Sequence, residues 1–268
     1  MKQTAENNKT DNKRGNKPNK STRTKKIAIT FLTVAVLFAV WEIAARAVNS
    51  EYVLPTVPQT FSAMIKLFGS AEFYSALSGT LGRTFAAFVV SFALAYFLAF
   101  VAEKSETVKS VVSVIIAIIR VLPTVAVIIL VLFWTNSYIA PIIVTSTVVL
   151  PAMYGAATEA LKSVDEDALI CCKAFGVSKK EVLFKVKLPQ IAPSVCRSAG
   201  RGLSLNLKLM VAAEVLAATA KSLGNMMNDG NYYLEIPKLF ALVLAVIAAG
   251  LVAELVFSGL AKRLERWK

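Results

Sequence analysis

Residues 121–158 carry no charged side chain. As a single helix they would reach about 57 Å at about 1.5 Å per residue, nearly twice a hydrocarbon core of about 30 Å. The run therefore has to cross an apolar slab, turn, and cross again. Thr135, Asn136 and Ser137 are the turn-forming residues near its middle, and Trp134 and Tyr138 beside them suit the depth where aromatic belts sit. Four more apolar stretches, residues 27–48, 81–102, 195–220 and 236–261, are each long enough to span. In a chain of 268 residues that is 56% hydrophobic, this much nonpolar surface needs lipid. The pattern predicts an all-α membrane protein of about six transmembrane helices, with residues 27–268 as the membrane domain.

The basic residues orient these spans. Residues 1–26 carry nine Lys and Arg, residues 162–201 carry eight and residues 261–268 carry four. The intervening loops are poor in them: only Lys66 in 49–80, none in 135–138, and only Lys221 in 221–235. Short basic loops stay on the cytoplasmic side, so both termini and the 162–190 loop are expected there, in a multi-pass protein of the plasma (inner) membrane. Much of the net charge of +13 is thereby topological. The 1–26 segment, rich in Lys, Asn and Thr and free of aromatics for base stacking, reads as a disordered cytoplasmic tail with no nucleic-acid role. The first apolar run is long enough to remain as an anchor rather than a cleaved leader.

The 163–190 segment is a charged, helix-compatible elbow between apolar spans. Ser163 with Glu166, and Ser178 with Glu181, fit capping boxes opening two short helices. Gly176 falls between them, where a helix can end in a left-handed residue without steric cost. Pro189 and Pro193 are expected to stop the second helix. Lys173, Lys179, Lys180, Lys185 and Lys187 occupy its polar positions, so the elbow belongs in water.

The spacing of Gly176, Val186, Leu188 and Pro189 resembles the coupling-loop signature of permease subunits of bacterial ATP-binding-cassette importers: Glu-Ala-Ala, three residues, Gly, nine residues, Ile-x-Leu-Pro. Ile170, Cys171 and Cys172 stand at the Glu-Ala-Ala positions, so two small residues are kept and the glutamate is replaced; Glu166 and Asp167 are the nearby acidic residues to take its part. Leu54-Pro55-Thr56-Val57-Pro58 is similar to the first outer loop of the nitrate, sulfonate and taurine branch. Arg120-Val121-Leu122-Pro123 looks like the Arg-x-Ile-Pro of that branch, Val211-Ala212-Ala213-Glu214 like its Val-Val-Ala-Glu, and Ser222-Leu223-Gly224 like its Gly-Leu-Gly. The likeness covers residues 50–265.

This resemblance implies a permease working with a cytoplasmic ATPase dimer and an extracytoplasmic substrate-binding protein. It also implies assembly as a homodimer in the lipid bilayer. The chain would form the pathway for a small, anionic nutrient of the sulfonate, nitrate or taurine kind. The chain has no G-x-x-x-x-G-K-[ST] phosphate cradle, so hydrolysis would come from another subunit and this one is not itself an enzyme. The other reading is an ATPase-independent channel or secondary carrier, which would have no need of a positioned cytoplasmic docking loop. Ser204-Leu205-Asn206-Leu207 stands where branch members often have Gly-x-Ala-Trp, so one particular substrate does not transfer.

Ionised residues within spans are costly, about 2.5 to 3.5 kcal/mol at a helix centre, and belong at a bundle interior or cavity. Arg120, Lys208 and Glu214 are the pathway residues on that ground. Arg120 has the alternative of snorkelling to an interface, and Glu214 that of packing. Lys208 is a pore cation or a structural partner of Glu159 or Glu254. Lys208 and Glu214, six residues apart, lie on different faces of a helix and are not simply each other's partner. Cys171, Cys172 and Cys196 lack the C-x-x-C spacing of metal or redox sites, and with no histidine in the chain they read as small buried packing residues. No metal, cofactor or catalytic residue is expected.

Overall fold

The structure, a computed structural model, describes residues 20–265, and every regular element among them is helical. Residues 1–19 of the expected tail lie outside the described residues. The chain divides into two units, residues 1–58 and 59–268.

In the first unit α1 (Lys20–Val48) takes in residues 20–26 as well as the apolar run. No Gly or Pro lies between Pro18 and the apolar residues, so nothing in that stretch stops a helix. The following loop is tied to the last turns of α1. The Trp41 indole donates to the Pro55 carbonyl at 3.0 Å, and the Glu42 carboxylate accepts from the Val57 N–H at 2.9 Å while pairing with Arg46.

The second unit is built on α3 (Ala71–Ala102), α6 (Ala140–Lys162), α9 (Leu188–Ala217) and α11 (Ile236–Glu265), with α9 packed against the other three. The buried face of α3 includes, beside Phe73 and Phe88, a row of Thr80, Thr84, Ala87, Ser91, Ala95 and Ala99, three or four residues apart. Such small side chains let helix backbones approach closely in lipid, where van der Waals packing has to replace the hydrophobic drive. Two glycines of α9 serve the same end. A Cβ on Gly200 would sit 2.7 Å from that of Phe257 on α11, and one on Gly202 would sit 2.5 Å from the Met153 thioether on α6.

One sequence expectation needs correction. The third span does not start at residue 121. Instead α4 (Glu106–Val121) runs up to a 96° bend at Leu122 and Pro123, and α5 (Thr124–Trp134) continues from it. Pro123 forces Leu122 into an extended conformation, ψ 127°, which no helix can pass through. With 11 residues α5 covers about 16 Å, half a hydrocarbon core, so it cannot cross alone; with α4 it forms a bent pair, the geometry of a broken span or a re-entrant loop. By length and composition, four helices among the described residues are long and apolar enough to cross a membrane, or up to five if the bent pair is one span. The sixth expected span is α9, which has the length, 30 residues, but carries Arg197, Arg201, Lys208 and Glu214.

The turn between α5 and α6 falls where the aromatics place it. Asn136 Oδ1 accepts from the N–H groups of Tyr138 and Ile139, both at 3.0 Å, and α6 starts at Ala140. Between the first unit's loop and α3 lies α2 (Val57–Phe68), whose Leu67 packs into a cluster with Phe73, Leu207 and Leu242.

Candidate functional site

The elbow starts with α7 (Glu166–Ala174), capped by Asp165. Its Oδ1 accepts from the N–H groups of Asp167 at 3.0 Å and Ala168 at 3.4 Å. Ser163 is not the cap, because α6 continues to Lys162 and the Ser163 hydroxyl donates back to the Ala160 carbonyl at 2.7 Å. A carboxylate one residue before the helix also offers its orphan N–H groups a stronger acceptor than a hydroxyl.

The far end of α7 closes with paired bonds, Val177 N–H to the Cys172 carbonyl at 2.9 Å and Gly176 N–H to that of Lys173 at 3.2 Å. These bonds form a Schellman motif around Gly176 at φ 66°, the left-handed conformation its position predicts. Ser178 then caps α8 (Lys179–Glu181), accepting from the Glu181 N–H and donating to its carboxylate.

Pro189 and Pro193 do not end this helix. A π-helical turn, Val182–Lys187, passes directly into α9, with Pro189 in its first positions and Pro193 inside. The wider turn has already interrupted the i to i−4 ladder, so the N–H that Pro189 lacks is one the helix does not need.

Nothing in α7, α8 or the π-helical turn is buried. Ile170, Phe175 and Phe184 are 65%, 85% and 65% exposed. Cys171 is exposed and Cys172 half-buried, which corrects the expectation that both are packed away. The elbow is anchored at its edges: Lys187 pairs with Glu103 after α3 at 2.8 Å, Gln190 accepts from the Asp165 N–H at 2.9 Å, and Leu188 packs on the bundle core. Glu166 lines a cavity of about 460 Å³ with Glu103, Glu106, Lys109 and Lys187; Asp167 and Pro189 are exposed.

Glu214 lies near the other end of α9 and is fully buried. Arg83 of α3 reaches its Oε1 with Nε at 2.8 Å and Nη2 at 2.7 Å. The Thr80 hydroxyl, one turn earlier on α3, donates to Oε2 at 2.8 Å and accepts from the Leu223 N–H at 2.9 Å. Arg83 also donates to the Lys221 carbonyl. The carboxylate thus holds α3, α9 and the start of α10 (Leu223–Tyr232) together, with Ser222 capping α10 through the Asn225 N–H. Gly224 is obligatory here: a Cβ would fall 2.5 Å from that of Glu214 and 2.6 Å from the Val215 nitrogen. Sequence reading missed Arg83 and Thr80. The available signal was an arginine three residues after a threonine in an apolar run, on one helix face and in need of an anion.

Arg120, at the C-terminal end of α4, lines a cavity of about 350 Å³ with Glu159 of α6 and Arg201 of α9. Lys208 is exposed on α9, and among the described residues it makes no ion pair with Glu159, Glu254 or Glu214. The structure therefore brings Arg120 into a shared cavity with Arg201 and with Glu159, which was expected beside Lys208 instead, and keeps Lys208 and Glu214 on different faces.

The family model described as binding-protein-dependent transport system inner membrane component matches residues 91–268. The taurine transport system permease protein TauC of Escherichia coli (strain K12) is 26% identical over 253 residues, 91% of this chain and 90% of that one. The fold is similar to that of a bacterial ABC transporter importing the acidic polysaccharide alginate (TM-score 0.63, 15% identity, 91% of this chain and 98% of the other). It is also similar to the inward-facing MetNI methionine ABC transporter (TM-score 0.61, 16% identity, 70% of this chain and 94% of the other).

Proposed function

This chain belongs to the binding-protein-dependent transport system inner membrane components, the permease subunits of ATP-binding-cassette importers, and from that premise we propose that it forms the translocation pathway for a small sulfonate-like nutrient. A separate ATPase dimer docks on the elbow from the cytoplasm, an extracytoplasmic binding protein delivers the solute, and two copies of the chain complete the pathway. Both termini then face the cytoplasm, as the basic loops require.

The observation that carries this reading is the elbow itself. A stretch that presents Ile170, Phe175 and Phe184 among lysines, has its helix ends capped and touches the bundle core through Val164, Leu169 and Leu188 is held in shape while leaving an apolar face open. Exposed apolar side chains on a pre-shaped helix pair are the makings of a protein interface. Glu166 and Asp167 stand at the start of α7 for contacts to basic residues of the ATPase; Cys171 and Cys172 keep its middle narrow, and Leu188 and Pro189 join the seat to α9. The taurine permease likeness supports the sulfonate class.

Closure of the ATPase dimer would move the elbow and with it α9, opening a central path alternately to either side. Such coupling needs contacts that differ in free energy between the two states. The test is purification of the chain from its native membrane, with identification of bound proteins and measurement of ATP hydrolysis. Recovery of a stoichiometric ATPase, lost when Phe175 and Ile170 are changed to Ser, is the expected result. A chain that purifies alone and still conducts solute would show an ATPase-independent channel or carrier instead.

A further inference from the structure

Glu103 and Lys187 are 84 residues apart in the chain and meet at one point of the fold. Glu103 ends α3, with its N–H bonded to the Ala99 carbonyl at 3.0 Å, and Lys187 is the last residue of the π-helical turn. Their 2.8 Å ion pair joins the elbow to the α3–α4 corner, because only Lys104 and Ser105 separate Glu103 from α4. A carboxylate at a helix C-terminus opposes the helix dipole, so Glu103 gains nothing from its own helix. Its charge is answered from the elbow.

The pair stands at the cavity of about 460 Å³, which both residues line. Glu106, Lys109 and Ser113 of α4 form one side of this space, and Val164, Glu166 and Leu169 of the elbow form another. The first turns of α4 therefore face the elbow across an opening. Glu106 is already held by Lys109 at 3.0 Å, one turn along the same helix. The Lys187 and Glu103 side chains are 23% and 39% exposed, against 73% and 47% for Lys185 and Glu181, a pair local to the elbow. The bridging pair is the more shielded and is less screened by salt. A half-exposed pair still adds little to stability, so what it offers is the connection between two parts.

We propose that Glu103 and Lys187 are positioning residues that carry displacement of the elbow to α3 and α4. Movement of the docked ATPase then enters the bundle by two routes. One is the continuous passage of the π-helical turn into α9, and the other is this ion pair into the α3–α4 corner. α4 leads from that corner to the 96° bend before α5, so the second route reaches an element that α9 does not continue into. This inference rests on the permease reading and adds to it the residues that link the docking surface to a second helix pair.

The test is amide exchange on the full chain, purified with its ATPase in lipid nanodiscs, without nucleotide and after trapping with ATP and vanadate. In the wild type, trapping is expected to change exchange both in the elbow, residues 166–187, and in the corner, residues 103–109. Glu103→Gln should keep the elbow response and cut the corner response roughly threefold or more, the scale of residues that lie on a coupling path. Glu103→Lys should cut it at least as far. Adding Lys187→Glu to Glu103→Lys should restore the corner response, which a loss of packing alone would not allow. The unfolding midpoint in detergent should barely move in Glu103→Gln.

Three results would overturn the inference: a wild-type corner that is silent while the elbow responds, a full corner response in Glu103→Gln, or no restoration in the charge-exchanged pair. In each of these the ATPase is still bound and the permease reading stands. A chain that retains no ATPase removes that reading, and this inference with it.

Discussion

The elbow and the Glu214 clamp sit toward opposite ends of α9 and are stabilised in opposite ways. The helices of the elbow have no fully buried residue, rest on the bundle core through Leu169, and owe their shape largely to caps, Asp165 and Ser178 at helix starts and Gly176 at a helix end. The clamp buries a carboxylate completely and meets it with Arg83, Thr80 and the Gly224 N–H. One region is shaped but lightly packed, which suits a surface completed by another protein. The other is closed on itself, with Glu214 and Thr80 fully buried and Arg83 largely so. The stronger bonds therefore lie in the region with the less open surface.

The largest expected effect breaks the clamp. Arg83→Met strands a buried carboxylate, and loss of one partner of such a pair costs about 3–5 kcal/mol; thermal unfolding in detergent should show it as a much lower midpoint. A midpoint close to wild type would mean that the pair is relaxed in the membrane. Gly224→Ala attacks the same point sterically, and with the Glu214 Cβ at 2.5 Å and backbone atoms at 2.6 and 2.7 Å from the new Cβ an overpacking cost of about 1–3 kcal/mol is expected. Gly259→Ala, where a Cβ meets nothing, should by contrast be neutral or gain up to about 1 kcal/mol of helix propensity.

At the elbow the balance between stability and function reverses. Gly176→Val places a β-branched residue at φ 66°, a local cost of about 1–2 kcal/mol. Because α7 buries nothing, the unfolding midpoint should barely move while solute transported per ATP hydrolysed falls sharply. Unchanged coupled uptake would remove Gly176 from the coupling role.

The smallest effect is a pH dependence. The bond from Lys185, and then that from Ser178, hold the Glu181 carboxyl below its ordinary value. A depressed folded value means that the stabilisation is present above the unfolded value and fades as pH falls through the folded one. Amide exchange over residues 179–182 should quicken relative to the intrinsic rate as the solution is acidified through that range, and Glu181→Gln should flatten the dependence.

Sequence reading recovered what is local. The α5–α6 turn follows from an uncharged run too long for one crossing, and Gly176 and Ser178 carry their backbone roles in their chemistry. It went wrong where a choice depends on the neighbouring element: Asp165 caps α7 because α6 already uses Ser163, and Pro189 is admitted because a π-turn precedes it. The bend at Pro123 escaped because hydropathy does not sense direction. Arg83 and Glu214 are 131 residues apart, and nothing local to either names the other. The cavity charges fall between these cases: Arg120 was singled out for its motif, whereas Glu159 and Arg201 become its companions only once α4, α6 and α9 are placed.

The uninterrupted passage from α8 through the π-turn into α9 has a mechanical consequence. From Lys179 to Ala217 the chain is one continuous helical run of about 58 Å at about 1.5 Å per residue, with the π-turn, Pro189 and Pro193 along it. No loop separates its elbow end from the end that Arg83 fixes to α3. A push on the elbow end would therefore pivot the run about that fixed end and carry Arg201, between the two, sideways, so that one wall of the Arg120 cavity and the elbow belong to the same lever.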